Sequence, residues 1–256
     1  MVFQTPKMLP LLFACWSCAA AATGLAAQET CTAQSGVNVT PVIELYTSEG
    51  CSSCPPADRW LSRLKPRSAD TAPAVIQAFH VGYWDYIGWV DRFANPAHTT
   101  RQRQVASSNN LRSIYTPQVV HNGRDWPGWH QAGGQLPTKR EAAHVFIRLQ
   151  QLGADHFEAT VTADDQAPAV WSAYWTVTEN SHSSKVRSGE NAGEVLQHDY
   201  VVRQYTPAGD YRNVSGTPQR LVLRSVSSQA GHARMVNLVV FDSKTGRSLQ
   251  AVSAGC

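Results

Sequence analysis

A chain of 256 residues, 43% hydrophobic and 16% charged, is long enough to bury a sizeable core without metal or disulfide staples and too apolar to be disordered. Its net charge of +3 is spread thinly, with no Lys/Arg block dense enough to neutralise a row of phosphates, so nucleic acid is excluded as an expected partner.

The N-terminus reads as an export signal. Lys7 supplies a modest positive start, residues 9–22 are apolar, and the small residues around Ala26 and Ala27 suit a signal peptidase. Residues 1–27 are therefore assigned as a signal peptide, with cleavage near Ala27 and a periplasmic or secreted destination. Pro10 interrupts the apolar stretch, which is shorter than the roughly 20 residues of a membrane-spanning helix, and no later segment comes close. A soluble, exported protein is expected. Leu12-Phe13-Ala14-Cys15 only loosely resembles a lipidation box, because Phe13 suits that position poorly. Cleavage removes Cys15 and Cys18 and leaves Cys31, Cys51, Cys54 and Cys256. In an oxidising compartment the most natural connectivity joins Cys51 to Cys54 and Cys31 to Cys256; the alternative leaves the outer two as free thiols in frayed ends.

Residues 39–46 are β-rich and run into Thr47-Ser48-Glu49-Gly50, a turn composition. After the cysteines, Ala57, Trp60, Leu61 and Leu64 recur at helical spacing until Pro66 stops them, and residues 74–81 form a second strand. Strand, helix, strand at this spacing is a crossover unit that makes parallel neighbours. An aromatic loop follows at residues 82–89, then a polar helix over about 96–109. Residues 115–120 read as a strand leading into His121-Asn122-Gly123-Arg124, where Asn-Gly signals a hairpin. Thr138 and Glu141 form a capping box, which predicts a helix to about Gln151 with Ala142, Val145, Phe146 and Leu149 on its apolar face. Beyond Gly153, residues 157–162, 170–178, 195–205, 220–226, 234–241 and 249–252 read as short strands separated by turn residues, with no helix. The expected organisation is thus a first domain over 28–152 and a β-rich, sandwich-like domain over 153–256.

A Cys-x-x-Cys at a strand-to-helix turn has a physical logic. Free backbone N–H groups and the positive helix end favour a thiolate, and the second cysteine is close enough to close a disulfide. Cys51 is assigned as the attacking thiol and Cys54 as the resolving one. A structural zinc site would need a second ligand pair at matching spacing, which the sequence lacks. Thr116-Pro117 stands where the thioredoxin fold has a cis proline facing its dithiol, so Pro117 is taken as cis. Pro55-Pro56 directly behind the dithiol makes the helix begin near Cys54 and leaves Cys51 on the loop. Glu49 opposes thiolate formation, and Arg59 is the nearest cation in sequence.

Strand, dithiol, aromatic loop and proline together are similar to the DUF1223 family of secreted, thioredoxin-like proteins. The resemblance lies in residues 43–58, in His80-Val81-Gly82-Tyr83-Trp84-Asp85 with Tyr86-Ile87-Gly88-Trp89, in Tyr115-Thr116-Pro117-Gln118, and in residues 191–203. It implies an α/β thioredoxin-like domain followed by the mostly β domain, in a bacterial envelope or secreted setting. The family pattern carries Asp where this chain has Gly82.

Sites in parallel sheets gather at the carboxyl ends of strands, which brings His80 and Asp85 into consideration as proton shuttles and Thr116 and Trp84 as auxiliary residues. Asn191, Gly193, His198 and Arg203 are read as a structural turn facing the first domain. The leading functional reading is a thiol–disulfide oxidoreductase that acts on protein thiols or a redox partner protein and needs no cofactor. One alternative is binding of copper or another thiophilic metal through Cys51, Cys54 and His80; another is an interaction module with a purely structural disulfide.

Overall fold

The computed structural model describes residues 1–3, 31–64, 74–137 and 140–255. Residues 4–27 of the assigned signal peptide, Thr138 of the capping box and Cys256 lie outside the described residues.

In chain order the elements are β1 (Thr32–Gln34), β2 (Val42–Thr47), α1 (Pro55–Ser62), β3 (Val75–His80), α2 (Pro96–Ser108), β4 (Gln118–His121) and β5 (Arg124–Asp125). There follow β6 (Val145–Gly153), β7 (His156–Ala163), β8 (Val170–Glu179), β9 (His182–Lys185), β10 (Val195–His198), β11 (Val201–Arg212), β12 (Gln219–Arg224), β13 (Arg234–Asp242) and β14 (Ser248–Gly255). Short 3₁₀ turns occur at Asp85–Ile87 and Pro127–Ala132.

These strands make an eight-stranded sheet in the order β14-β13-β8-β11-β3-β2-β4-β5, a four-stranded sheet β1-β6-β7-β12 and a small β10-β9 ribbon. β2 and β3 pair in parallel with α1 between them, and β4 returns antiparallel to β2. At the open edge of β3, β11 pairs in parallel at Val201 and Ala78 and carries the sheet on into β8, β13 and β14. Strands from both sides of residue 152 therefore share one sheet.

Alternation along each strand assigns the faces. Ile43 and Leu45 point to α1, packing with Ala57, Trp60 and Leu61. Val42 and Tyr46 point the other way, toward Phe79, Val105 of α2 and Tyr174. On β8, Trp171, Ala173, Trp175 and Val177 face the four-stranded sheet and pack on Ile147, Leu149, Phe157 and Val161, whereas Tyr174 belongs to the α2 side. One face of the long sheet therefore carries α1 and the second sheet, and the opposite face carries α2.

The expected fold class, an α/β thioredoxin-like domain followed by a sandwich-like β domain, is corrected by this arrangement. Among the described residues strand predominates, 43% against 14% helix, in large sheets with few helices, and no distinct α/β thioredoxin-like domain stands apart there. Two physical causes account for the difference. The helix anticipated over 138–151 is instead strand β6, where Val145, Ile147 and Leu149 are buried and Phe146 and Arg148 are exposed, a period of two that the spacing 142/145/146/149 had masked. The edge of β3 is also occupied by β11, which fuses the anticipated first sheet with the later strands.

Local chemistry fixes the remaining boundaries. Pro55 and Pro56 fill the first two positions of α1, where a missing N–H costs no intrahelical bond, and Cys54 is the N-cap residue. Asn95 caps α2 by accepting the Ala97 N–H at 2.9 Å. Asn122 and Gly123 both take positive φ, 49° and 77°, as a primed hairpin turn requires, and a Cβ on Gly123 would meet the Gly246 carbonyl oxygen at 2.0 Å.

Candidate functional site

Thr47 and His80 are register partners at the carboxyl ends of β2 and β3. Just beyond them the chain folds into a tight loop, in which the Cys51 N–H donates to the Ser48 carbonyl at 3.1 Å and the Cys54 N–H to the Cys51 carbonyl at 3.1 Å. This turn brings the Cα atoms of Cys51 and Cys54 to 5.4 Å, within the span a disulfide bridges, and the two are bonded. Both residues are buried, 1% and 0% exposed. Because Pro55 and Pro56 lack N–H groups, the first turn of α1 directs fewer donors at the sulfurs than an ordinary helix start would.

Thr116-Pro117 is a cis peptide. Thr116 Oγ1 accepts a hydrogen bond from the Trp84 indole at 2.7 Å, and Trp84 Cβ packs so tightly on Gly50 that a Cβ there would sit 3.2 Å away. Trp84 thus wedges between the dithiol loop and the strand entry at Pro117. Cys31 is disulfide-bonded, and its sulfur lies 3.2 Å from the Gly255 carbonyl oxygen, adjacent in sequence to its anticipated partner.

Beneath the dithiol lies a buried cluster of acids and imidazoles. His80, fully buried, bonds through Nδ1 to Asp91 Oδ2 at 2.7 Å. Burial disfavours the charged imidazole, but Asp91 outweighs it and the His80 pKa rises, while burial of Asp91 is outweighed by His80 and its carboxyl is held low. Asp91 also accepts the Glu49 and Phe93 backbone N–H groups, each at 2.9 Å. Asp85 supports this pair indirectly, accepting the Asp91 N–H at 3.2 Å, and burial raises its own pKa. His98 bonds through Nδ1 to the His80 carbonyl at 2.9 Å, and burial pulls its pKa down to about 4.

His198, buried on β10, stands between two acids: its Nε2 is 3.4 Å from Glu49 Oε1 and its Nδ1 is 3.8 Å from Asp58 Oδ2. Its ring meets that of His80 edge-on at 4.9 Å. Asp58 is one helical turn after Cys54, on the same side of α1, and its backbone N–H donates to the Cys54 carbonyl at 3.2 Å. Burial raises the Asp58 pKa, and Thr47 Oγ1 donates to its carboxylate at 3.2 Å. Glu49 is buried too, which alone would raise its pKa, but His198, Ser184 and Trp89 outweigh this and hold it low; the Trp89 indole donates at 2.7 Å. His80 Nε2 has no hydrogen-bond partner, and Glu49 Oε1 and the two ring nitrogens of His198 meet only in the ion-pair contacts just described.

Asn191 closes the site from the loop between β9 and β10. Its Nδ2 donates to the Glu49 carbonyl at 2.8 Å and to the Cys51 carbonyl at 3.0 Å. Next to it, Glu190 accepts the Ser52 N–H at 2.9 Å.

Of the residues singled out from sequence, Cys51, Cys54, Thr116, Pro117, Trp84, His80 and Asp85 therefore converge on one end of the long sheet. Asp58, Asp91 and His98 escaped sequence reasoning altogether, and Asn191 and His198 were assigned only structural roles. The one sequence signal for His198 is alternation: Leu196 and His198 face inward along β10 while Val195 and Gln197 face out. Among the described residues no group of three or more His, Cys, Asp or Glu has the arrangement of a metal site, and the alternative ligand set Cys51, Cys54 and His80 has its sulfurs joined to each other and its Nδ1 taken by Asp91. Among the described residues no helix is long and apolar enough to cross a membrane.

The family described as "Protein of unknown function (DUF1223)" matches residues 42–241. No curated protein matches the sequence. The fold is similar to that of the crystal structure of protein AGR_C_4864 from Agrobacterium tumefaciens, at a TM-score of 0.61 and 23% identity over 84% of this chain and 93% of that one. It is also similar to HBP35 of Porphyromonas gingivalis, at a TM-score of 0.55 and 13% identity over 86% of this chain and 76% of that one. At these identities the likeness concerns the fold alone.

Proposed function

The chain belongs to the DUF1223 family, whose span holds both the dithiol and the hairpin above it, and from that premise we propose that it is a thiol–disulfide oxidoreductase acting through Cys51 and Cys54. The observation that carries this reading is the Cys51–Cys54 disulfide at the start of α1, set over a buried cluster of proton-exchanging groups. In the step envisaged, a partner thiolate attacks Cys51 Sγ, the Cys51–Cys54 bond breaks, and Cys54 leaves as a thiolate that takes a proton. A second partner thiolate then attacks the partner sulfur of the mixed disulfide and releases Cys51. The partner dithiol is oxidised to a disulfide, the protein disulfide is reduced, and the two protons shed by the partner thiols end on Cys51 and Cys54. The reverse sequence reduces a partner.

Proton transfer at Cys54 falls to Asp58 in this scheme. A buried thiolate is costly in a low-dielectric site, and a carboxyl with a raised pKa one turn away suits a group that must hold a proton and release it. An oxidising envelope or extracellular setting fits a protein that keeps disulfides at Cys51–Cys54 and Cys31.

A second reading, a fixed structural disulfide in an interaction module, draws support from the burial of both sulfurs. The two separate in one assay with a reduced, unfolded two-cysteine polypeptide as the probe. An oxidoreductase oxidises the reduced probe and Cys51→Ser abolishes the exchange; when the disulfide-bonded form of the probe is offered instead, the Cys51 thiolate of Cys54→Ser attacks its disulfide, releases one probe thiol and accumulates as a mixed disulfide that no second cysteine resolves. Absence of both exchange and mixed disulfide favours the structural reading.

A further inference from the structure

An attacking thiolate must reach Cys51 Sγ along the line of the bond it breaks, and at 1% exposure Cys51 offers no such path. Against its sulfur lies the Ser53 hydroxyl at 3.3 Å, and the tip of the β9–β10 hairpin holds the backbone of Glu49, Cys51 and Ser52 around it. This ribbon joins neither of the larger sheets in a backbone ladder, and His182 ties its base to Glu179 of β8 through a side-chain hydrogen bond at 3.0 Å. Its base is anchored by the buried Leu196 and His198.

The tip, residues 186–194, is closed on itself. Val186 N–H donates to the Glu194 carbonyl at 3.0 Å, Gly193 N–H to Val186 at 3.0 Å, and Ala192 N–H to Gly189 at 3.2 Å. Its hydrogen bonds to the site are made by side chains: Glu190 on the Ser52 N–H, Asn191 on the Glu49 and Cys51 carbonyls, and Ser188 Oγ on the Gly88 carbonyl. Gly189 seats against Trp89 and Ile87. With the buried Val186 staying at its root, residues 187–194 hydrogen-bond to the site through three side chains and can lift as one piece while breaking few bonds.

Apart from the Ser52 hydroxyl beside Glu190, the groups it holds are main-chain ones. When Glu190 and Asn191 leave, they free one donor, the Ser52 N–H, and two acceptors, the Glu49 and Cys51 carbonyls, in the immediate flank of the reactive sulfur. The N–H and C=O groups of a polypeptide replace such contacts one for one; a small thiol has none to offer.

We propose that the β9–β10 tip is a displaceable cover over Cys51 and that the main chain of a cysteine-bearing polypeptide is what displaces it. This rests on the oxidoreductase reading and names the class of partner that the reading leaves open. Small thiols wait for the cover to open spontaneously, whereas polypeptide thiols exchange contacts with it.

The test follows reduction of the oxidised protein by dithiothreitol and, separately, by a reduced unfolded polypeptide, in wild type, Asn191→Ala and Glu190→Ala. Glu190 is exposed, so its truncation leaves the fold intact should loss of the buried Asn191 disturb it. The expected result is about tenfold faster dithiothreitol reduction in either variant, with a smaller gain for the polypeptide and an unchanged end point. Wild-type rates in both variants overturn the cover, and equal acceleration by both probes overturns the polypeptide partner. Amide hydrogen exchange at Ser52 reads the cover without any redox step and is expected to quicken in both variants. A disulfide that stays oxidised at the end point in all three proteins defeats the oxidoreductase reading instead, leaving the exchange result to decide whether the tip opens.

Discussion

Two histidines on adjacent elements titrate in opposite senses. His98, neutral and donating to the His80 carbonyl, has its pKa pulled down to about 4 by burial. In the unfolded chain it takes up a proton below about 6.5, so its contribution to stability is fully present above that pH and is lost as pH falls toward 4. His80, raised by Asp91, stabilises below about 6.5, and that contribution is lost as pH rises through its folded value. The substitution His98→Asn keeps a donor for the His80 carbonyl and removes the titration. Its unfolding free energy, measured in urea, is expected to fall less steeply than wild type between pH 6.5 and 4, by up to about 3 kcal/mol at the acid end; parallel slopes contradict the assignment. At this scale the sequence was readable where chemistry is local. Cys51 and Cys54 lie three residues apart, and Pro117 carries its own conformational signal. Asn191 and His198 reach the dithiol from about 140 residues away, as the Asn191 bond to the Cys51 carbonyl shows, and no spacing rule encodes such a meeting.

Among the elements, local pattern served best where one period held. Strands β2 and β3, the helices α1 and α2 and the Asn122-Gly123 turn lie close to where composition put them. β6 was misread because Val145 and Leu149 suit both periods, and only its register against β7 shows which face is buried. The strand β9 went unseen because His182-Ser183-Ser184-Lys185 has no β-branched or apolar residue, and its partner β10 supplies the pairing. The packing of α2 on the long sheet depends on a buried ion pair that sequence also concealed. Arg101 contacts Glu44 at 2.8 Å, and Tyr46 and Tyr174 donate to the same carboxylate at 2.5 and 3.3 Å. Arg101→Met leaves Glu44 charged and buried and is expected to cost about 3–5 kcal/mol, measured by urea unfolding at pH 7. The double variant Arg101→Met with Glu44→Gln should recover part of that loss; no recovery means that the arginine acts through packing rather than charge.

For the whole molecule, the decisive feature is the long sheet that draws strands from both halves of the sequence. The β11–β3 junction brings β10 and its hairpin tip over α1, so the later part of the chain supplies the cover, His198 and Asn191 to a dithiol carried by the earlier part. Element order alone could not reveal this, since it names neighbours along the chain and not the edge at which two sheets join. The central claim is that the covered disulfide is a working redox couple. Equilibration of the protein in thiol–disulfide buffers of graded potential, with alkylation of the free thiols, tests that claim most directly. The account requires Cys51–Cys54 to titrate reversibly within roughly −270 to −120 mV, the range of thiol oxidoreductases. A disulfide that remains oxidised below about −300 mV, as structural bridges do, contradicts it.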